Sequence, residues 1–236
     1  MTRVGSTERA RSGGAGSAGA GSGIIVLKVG GASVGRIAIP DEPTVVVHGA
    51  GPQISQEMQA RGIEPAFVDG RRVTTPEVLE IVMESFAAVN ASVCAAIGAR
   101  AVGLSGADVG LAARQVPELG LVGDPLPSAP PAILGALAAG LVPVVSPLAR
   151  GPLNVNADEM ASALAVGLGA TRISFVTDVP GVYHDGELIQ SIEAAQAESL
   201  VRGGVFDGGI VPKLLAAALA ARNGVAADIG VTAVVA

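Results

Sequence analysis

Five short apolar runs punctuate the chain, each ending in glycine, proline or a polar turn. They are residues 24–31 (IIVLKVGG), 44–53 (TVVVHGAGPQ), 99–108 (ARAVGLSGAD), 141–149 (LVPVVSPLA) and 172–183 (RISFVTDVPGVY). Such runs, rich in Val and Ile and bounded by turn residues, read as buried strands entering tight turns. Between them apolar residues recur at helical spacing over 53–61, 75–97, 131–139, 157–168 and 212–222. Strand, turn and helix in repetition predict an α/β fold with a mainly parallel open sheet. Ligands of such sheets bind beyond the carboxyl ends of the strands, and several glycine and polar clusters of this chain fall there.

The Pro-rich stretch 125–133 and the turn residues 147–151 punctuate the middle of the sequence. A boundary near residue 149 then divides an N-terminal lobe, 24–148, from a C-terminal lobe, 149–236. Residues 1–23 are a Gly/Ser/Ala-rich tail without the apolar centre of a signal peptide, so the expected compartment is the cytoplasm. No uninterrupted apolar run reaches the roughly 18 residues of a membrane span.

Composition narrows the chemistry. The 236 residues are 50% hydrophobic but only 2% aromatic, so the core is built from Ala, Val, Leu and Ile. A net charge of −6, no basic run and scarce aromatics speak against nucleic-acid binding. The single cysteine, Cys94, has no partner for an internal disulfide and reads as a small buried hydrophobe.

Lys28 lies near the end of an apolar strand, where an ammonium is costly unless an anion meets it. Gly30 and Gly31 follow and free backbone N–H groups for phosphate oxygens; a snorkelling lysine before a turn is the plainer alternative. Gly49, Ala50 and Gly51 form a second turn opening a helix, an arrangement suited to anions. His48 before it reads as structural rather than as a base. No P-loop lysine follows this turn, and its spacing is not G-x-G-x-x-G. The segment FVDGRRVT (67–74) puts two arginines in one turn, either to grip carboxylates or as a solvated loop. In LNVNADE (153–159), Asn156 and Glu159 fit a helix cap with a capping-box variant; Asn154 and Asp158 are left over, though Asp158 also suits the helix dipole. Lys213 follows Pro212 at a predicted helix start, where a cation opposes the dipole unless a phosphate comes there. Lys28 and Lys213 are the only lysines, every other cation being arginine. Two ammoniums, one acid and glycine turns are a set suited to phosphoryl transfer, which needs positioning and charge neutralisation.

Taken in order, KVGG, VVHGAGPQI, FVDGRRVT, AVGLSGADVG, LNVNADEMASALA, VTDVPGVY and GGIVPK resemble the motifs of the amino acid kinase family from about residue 24 to 225. The resemblance implies a three-layer αβα sandwich whose N-terminal lobe binds the acid and dimerises while the C-terminal lobe binds ATP. It implies ATP-dependent phosphorylation of the side-chain carboxylate of N-acetyl-L-glutamate, with Mg²⁺ held mainly through phosphates, in a cytoplasmic homodimer. By motif, Lys28 and Lys213 resemble the lysines that stabilise the transition state, and Asp158 the acid that orients them. Gly49, Ala50, Gly51, Arg72 and Asn154 resemble substrate-binding positions. Gly30, Gly31, Asp178, Gly181, Tyr183, Gly208 and Gly209 resemble nucleotide-binding ones. An acetylaminoadipate-type acid, a non-catalytic amino-acid sensor and an inactive relative are the competing readings.

Three departures stand out against the family pattern. Ala50 replaces the central glycine of HGGG, only twelve residues (32–43) separate Gly31 from the next strand, and the last strands lack the usual intervening helix. The tail does not resemble the extra helix of arginine-inhibited members, so no arginine feedback inhibition is expected.

Overall fold

The computed structural model describes residues 23–30 and 38–236. The tail expected over 1–23 falls outside them apart from Gly23, as do Gly31 and residues 32–37 of the short first crossover.

From the N-terminus, β1 (Ile25–Val29) and β2 (Thr44–His48) precede α1 (Gly51–Ala60), the short strands β3 (Phe67–Val68) and β4 (Arg71–Arg72), and α2 (Pro76–Ile97). Then come β5 (Ala101–Ser105), β6 (Ala113–Gln115), β7 (Val122–Pro125), α3 (Pro131–Ala138), β8 (Val142–Ser146), β9 (Leu148–Ala149), β10 (Leu153–Val155) and α4 (Ala157–Gly167). The remainder is β11 (Arg172–Phe175), β12 (Tyr183–His184), β13 (Glu187–Leu188), β14 (Ser191–Glu193), α5 (Ala194–Arg202), α6 (Ile210–Arg222), β15 (Ala226–Ile229) and β16 (Thr232–Val235).

Eight strands make one sheet in the order β14-β16-β15-β11-β1-β2-β8-β5. Every pairing is parallel except that of β15 with β16. The strand alternation explains the layers. Val45 and Val47 of β2 enter a core shared with α3, α4 and α6, whereas Val46 between them enters a second core with α1 and α2. Helices thus cover both faces, and the central strands are largely apolar because both of their faces are buried. A smaller sheet, β6-β7-β10-β9, stands beside the large one.

α2 illustrates the helical pattern. Thr75 caps it, its hydroxyl accepting from the Val78 N–H, and Pro76 begins the first turn. Val78, Ile81, Val82, Ser85, Phe86, Val89 and Val93 form the buried face. By length and composition α2 is also apolar enough to cross a membrane. The sequence expectation missed this because it counted uninterrupted runs, and Glu80 and Glu84 interrupt this one on the exposed face.

At the C-terminus β15 and β16 join directly through Gly230, at φ +58°, and Val231. The missing helix predicted from the sequence is therefore replaced by a two-residue hairpin turn. The strands adapt: Ile173, Phe175, Ala227 and Ile229 are buried, while the alternate Ser174 and Asp228 are half-buried and hydrogen-bonded to each other at 3.0 Å.

Candidate functional site

A cavity of about 470 Å³ opens at the carboxyl ends of β1 and β2. Lys28, Gly30, Gly49, Ala50, Gly51, Arg72, Asn154, Asp158, Gly209 and Lys213 all line it. Residues spread over most of the sequence are brought together here. A larger groove of about 800 Å³, between α2 and the edge strand β5, contains none of the predicted residues.

Asp158 organises one wall. Asn156 caps α4, its Oδ1 accepting from the N–H groups of Asp158 at 2.9 Å and Glu159 at 3.3 Å. That cap fixes Asp158 in the first turn, where the helix dipole favours a carboxylate. The Lys28 ammonium lies 2.9 Å from Asp158 Oδ1, and the Lys213 ammonium 3.5 Å from Oδ2. The Lys28 contact is close but poorly aligned as a hydrogen bond, so Oδ1 retains acceptor capacity. Lys28 and Asp158 are both buried, and an isolated charge there would be prohibitive. Burial lowers the Lys213 pKa, Asp158 pulls it back up, and the neighbouring Lys28 lowers it again. Two ammoniums thus share one carboxylate, leaving this wall one positive charge in excess.

α6 brings Lys213 there. The helix starts at Ile210, earlier than predicted, so Pro212 stands within the first turn rather than at its first position. The ring is tolerated because N–H groups of that turn have no partner within the helix. Lys213 also donates to the Gly209 carbonyl at 3.3 Å.

Arg72 forms the opposite wall. Its Nη2 donates to Ser55 Oγ at 2.8 Å and to the Gly51 carbonyl at 3.1 Å, while Nη1 meets Met58 Sδ at 3.0 Å. The guanidinium carbon stands 4.6 Å from the centre of the Phe67 ring. None of these partners is a carboxylate, and burial lowers the Arg72 pKa. A buried cation held only by neutral groups is prepared for an incoming anion. Asn154 Nδ2 donates to Thr74 Oγ1 at 3.0 Å, and Thr74 donates on to the Arg72 carbonyl at 2.8 Å. Asn154 and Arg72 are therefore linked through Thr74.

Ala50 lines the cavity but is only 1% exposed and belongs to the α1–α2 core cluster. The extra methyl is absorbed by packing. His48 is fully buried and donates nothing to the cavity, its Nε2 lying 3.1 Å from Asn90 Nδ2.

Asp178, Gly181, Tyr183 and Gly208 are not among the lining residues of this cavity. Asp178, Tyr183 and Gly208 are exposed. Gly181 has a packing role, since a Cβ there would come within 2.5 Å of Thr232 Oγ1. His184 and Phe206 stand 6.1 Å apart, which sets the β12–β13 hairpin beside the glycine loop that enters α6.

Sequence reasoning raised Arg71 only as one of two arginines in the 67–74 turn, without a place in the site, and misread Glu159. Arg71 lines the cavity, its Nε donating to Glu159 Oε1 at 2.9 Å and its Nη2 to Asp124 Oδ1 at 3.0 Å. Glu159 thus turns its carboxylate towards β4 instead of back to the helix cap. Burial raises its pKa, with Arg71 opposing. The Asp69–Gly70 pair was the available signal: both residues have positive φ, the requirement of a two-residue hairpin turn, which places Arg71 and Arg72 on a strand.

The sequence profile of the amino acid kinase family matches residues 23–230. Acetylglutamate kinase of Rubrobacter xylanophilus is 42% identical over 221 residues, covering 87% of each chain. That of Methanopyrus kandleri is 39% identical over 223 residues, covering 84% of this chain and 91% of its own. Among solved structures, a Streptococcus mutans protein superposes with a TM-score of 0.83 at 25% identity, covering 91% of this chain and 99% of its own. The N-acetylglutamate synthase of Neisseria gonorrhoeae shares the fold at a TM-score of 0.76 and 21% identity, over 91% of this chain and 60% of that one.

Proposed function

The chain belongs to the amino acid kinase family, and from that premise we propose that it phosphorylates the side-chain carboxylate of N-acetyl-L-glutamate with ATP. The product is the N-acetyl-L-glutamyl acyl phosphate, an intermediate of arginine biosynthesis. The observation that carries this reading is the polarity of the cavity: Asp158 between Lys28 and Lys213 on one wall, and an Arg72 guanidinium without a carboxylate on the other.

In this reading Arg72 holds the α-carboxylate of the acid, and Asn154 lies beside it. The side-chain carboxylate then approaches the lysine wall. It is already ionised near neutral pH and needs no general base. One of its oxygens attacks the γ-phosphorus, and the bond from that phosphorus to the β,γ-bridging oxygen breaks, leaving ADP. Lys28 and Lys213 neutralise the oxygens of the phosphoryl group in flight, and Asp158 fixes the spacing between them. Positioning and electrostatic preorganisation supply the acceleration. The turn at Gly49, Ala50 and Gly51 and the backbone at Gly30 line the same region, although the Gly49 N–H is already given to the Val29 carbonyl at 3.1 Å.

ATP extends from the lysine wall along the C-terminal lobe, 149–236, past Gly208 and Gly209 towards Asp178, Gly181 and Tyr183; the N-terminal lobe, 24–148, supplies most of the acid site. Mg²⁺ is assigned to the phosphate oxygens, because each oxygen of Asp158 already faces an ammonium. When bound, the ion would add charge neutralisation to the phosphates. The family resemblance adds a cytoplasmic homodimer to this reading.

The test is ADP release from ATP·Mg²⁺ with N-acetyl-L-glutamate, acetylaminoadipate or glutamate, the acyl phosphate being trapped with hydroxylamine. Turnover with N-acetyl-L-glutamate is the expected result. No turnover with any acid, from folded protein that still binds N-acetyl-L-glutamate, would replace the kinase with an amino-acid sensor.

A further inference from the structure

We infer that Arg71 is a positioning residue for the acid: it locks the 67–72 hairpin, and with it Arg72, onto the helix that carries Asp158. This inference rests on the reading of the cavity as the phosphoryl-transfer site.

Neighbouring side chains of a strand leave on opposite sides. Arg72 turns towards Gly51, Ser55 and Met58 in and around α1. Arg71 turns the other way, to Glu159 on α4 and Asp124 on β7. Both partners are built into the site. Glu159 directly follows Asp158, and β7 pairs in parallel with β10, the strand of Asn154. A planar guanidinium held by two carboxylates fixes orientation as well as distance.

Two further contacts point the same way. Asn156, the cap of α4, donates from Nδ2 to the Gly70 carbonyl at 3.2 Å. The hairpin tip also reaches the first turn of α6, where a Cβ built on Gly70 would lie 3.5 Å from Pro212 Cγ. The hairpin itself has only two residues in each strand, and Phe67 and Val68 are exposed. A hairpin of that size is not stable alone, so its place is set by what it touches. The Arg71 pairs are partly exposed and add little to global stability. Their consequence is geometric. They tie the arginine offered to the acid to the helix that aligns the two lysines.

The experiment compares full-length wild type with Arg71→Ala, Arg71→Lys and Glu159→Gln in steady-state kinetics. Arg222→Ala, which breaks a surface pair with Glu198, serves as the control. The inference expects Arg71→Ala to raise KM for N-acetyl-L-glutamate by about 10–100-fold, the scale of a misplacement of roughly an ångström. KM for ATP and the melting temperature should stay near wild type. Arg71→Lys should recover only part, since an ammonium cannot hold two carboxylates in one plane, and Glu159→Gln should move KM in the same direction. An Arg71→Ala enzyme with unchanged KM for the acid overturns the inference. Should wild type itself fail to turn over, the kinase reading falls separately. Amide exchange over residues 67–72 then decides: faster exchange in Arg71→Ala and Glu159→Gln upholds the clamp, and unchanged exchange removes it.

Discussion

Ser162 of α4 donates a 2.8 Å hydrogen bond to the Ala216 carbonyl of α6, about one turn beyond Asp158 and Lys213 on the same two helices. Ala161, Ala165, Ala217 and Ala220 are buried around this contact, so small side chains bring the helices together and the hydroxyl sets their register. Ser162→Ala should cost about 1 kcal/mol, the usual net worth of such a bond. Ser162→Val should cost about 1–3 kcal/mol by overpacking and should also lower kcat, because it pushes Asp158 and Lys213 apart. Thermal unfolding and kcat measured on both variants check this. A Val variant with reduced stability but normal kcat would show that the spacing tolerates helix movement.

Lys28 and Lys213 should matter to the chemical step more than to binding. Lys28→Ala and Lys213→Ala are each expected to lower kcat by about 10²–10³, the scale of one lost preorganised donor, with KM for the acid changed only a few-fold. Stability should separate them. Lys28→Ala leaves a buried Asp158 facing only the more distant ammonium, so it should be destabilised the more strongly. Kinetics beside denaturant unfolding distinguishes the two effects, and a double variant with normal turnover would remove the mechanism.

Much of this architecture was legible because local and global signals agree. The helix predicted over 75–97 appears as Pro76–Ile97, and that over 131–139 as Pro131–Ala138. Each has a proline at its start, and α2 adds a regularly spaced buried face. α5 escaped notice although Ala194, Ala197, Leu200 and Val201 recur at helical spacing and pack on the core. The hairpins at Asp69–Gly70 and Asp185–Gly186 escaped because their strands have two residues each, too short for an alternation to register, although both turns carry the Asp-Gly signature. The site was legible where composition singled residues out, as with the two lysines. Glu159 shows the limit. Its spacing from Asn156 fits a local capping box, and its actual partner, Arg71, stands 88 positions away. No periodicity reports such a pairing.

Arg72 should act on the acid alone. Arg72→Ala is expected to raise KM for N-acetyl-L-glutamate by about 10–100-fold, matching the roughly 1.5–3 kcal/mol of a hydrogen bond to a charged group, while ATP binding stays unchanged. Phe67→Ala removes the ring beneath the guanidinium and should cost about 0.5–1 kcal/mol, seen as a few-fold rise in the same KM. Isothermal titration with each ligand separately is the check. A loss of ATP affinity in Arg72→Ala would place this residue on the wrong side of the cavity.

His48 should make stability depend on pH. The side chain is fully buried at the end of β2, and burial lowers its pKa from 6.5 to about 4, against a smaller opposing pull from the Gly49 backbone. The hydrogen bond that Asn90 Nδ2 donates to the Val144 carbonyl fixes the amide, so the same nitrogen faces His48 Nε2 as a donor. Nε2 is therefore the acceptor, and the neutral ring carries its proton on Nδ1. In the unfolded chain His48 takes up a proton below about pH 6.5, whereas in the folded protein it stays neutral down to about 4. Its contribution is thus fully present above pH 6.5 and lost progressively as pH falls towards 4, by at most about 3 kcal/mol. Denaturant unfolding of wild type and His48→Gln between about pH 7.5 and about pH 4.5 should give a shallower pH dependence for the variant. Parallel curves would mean that His48 takes up its proton over the same pH range folded and unfolded, so that burial does not lower its pKa.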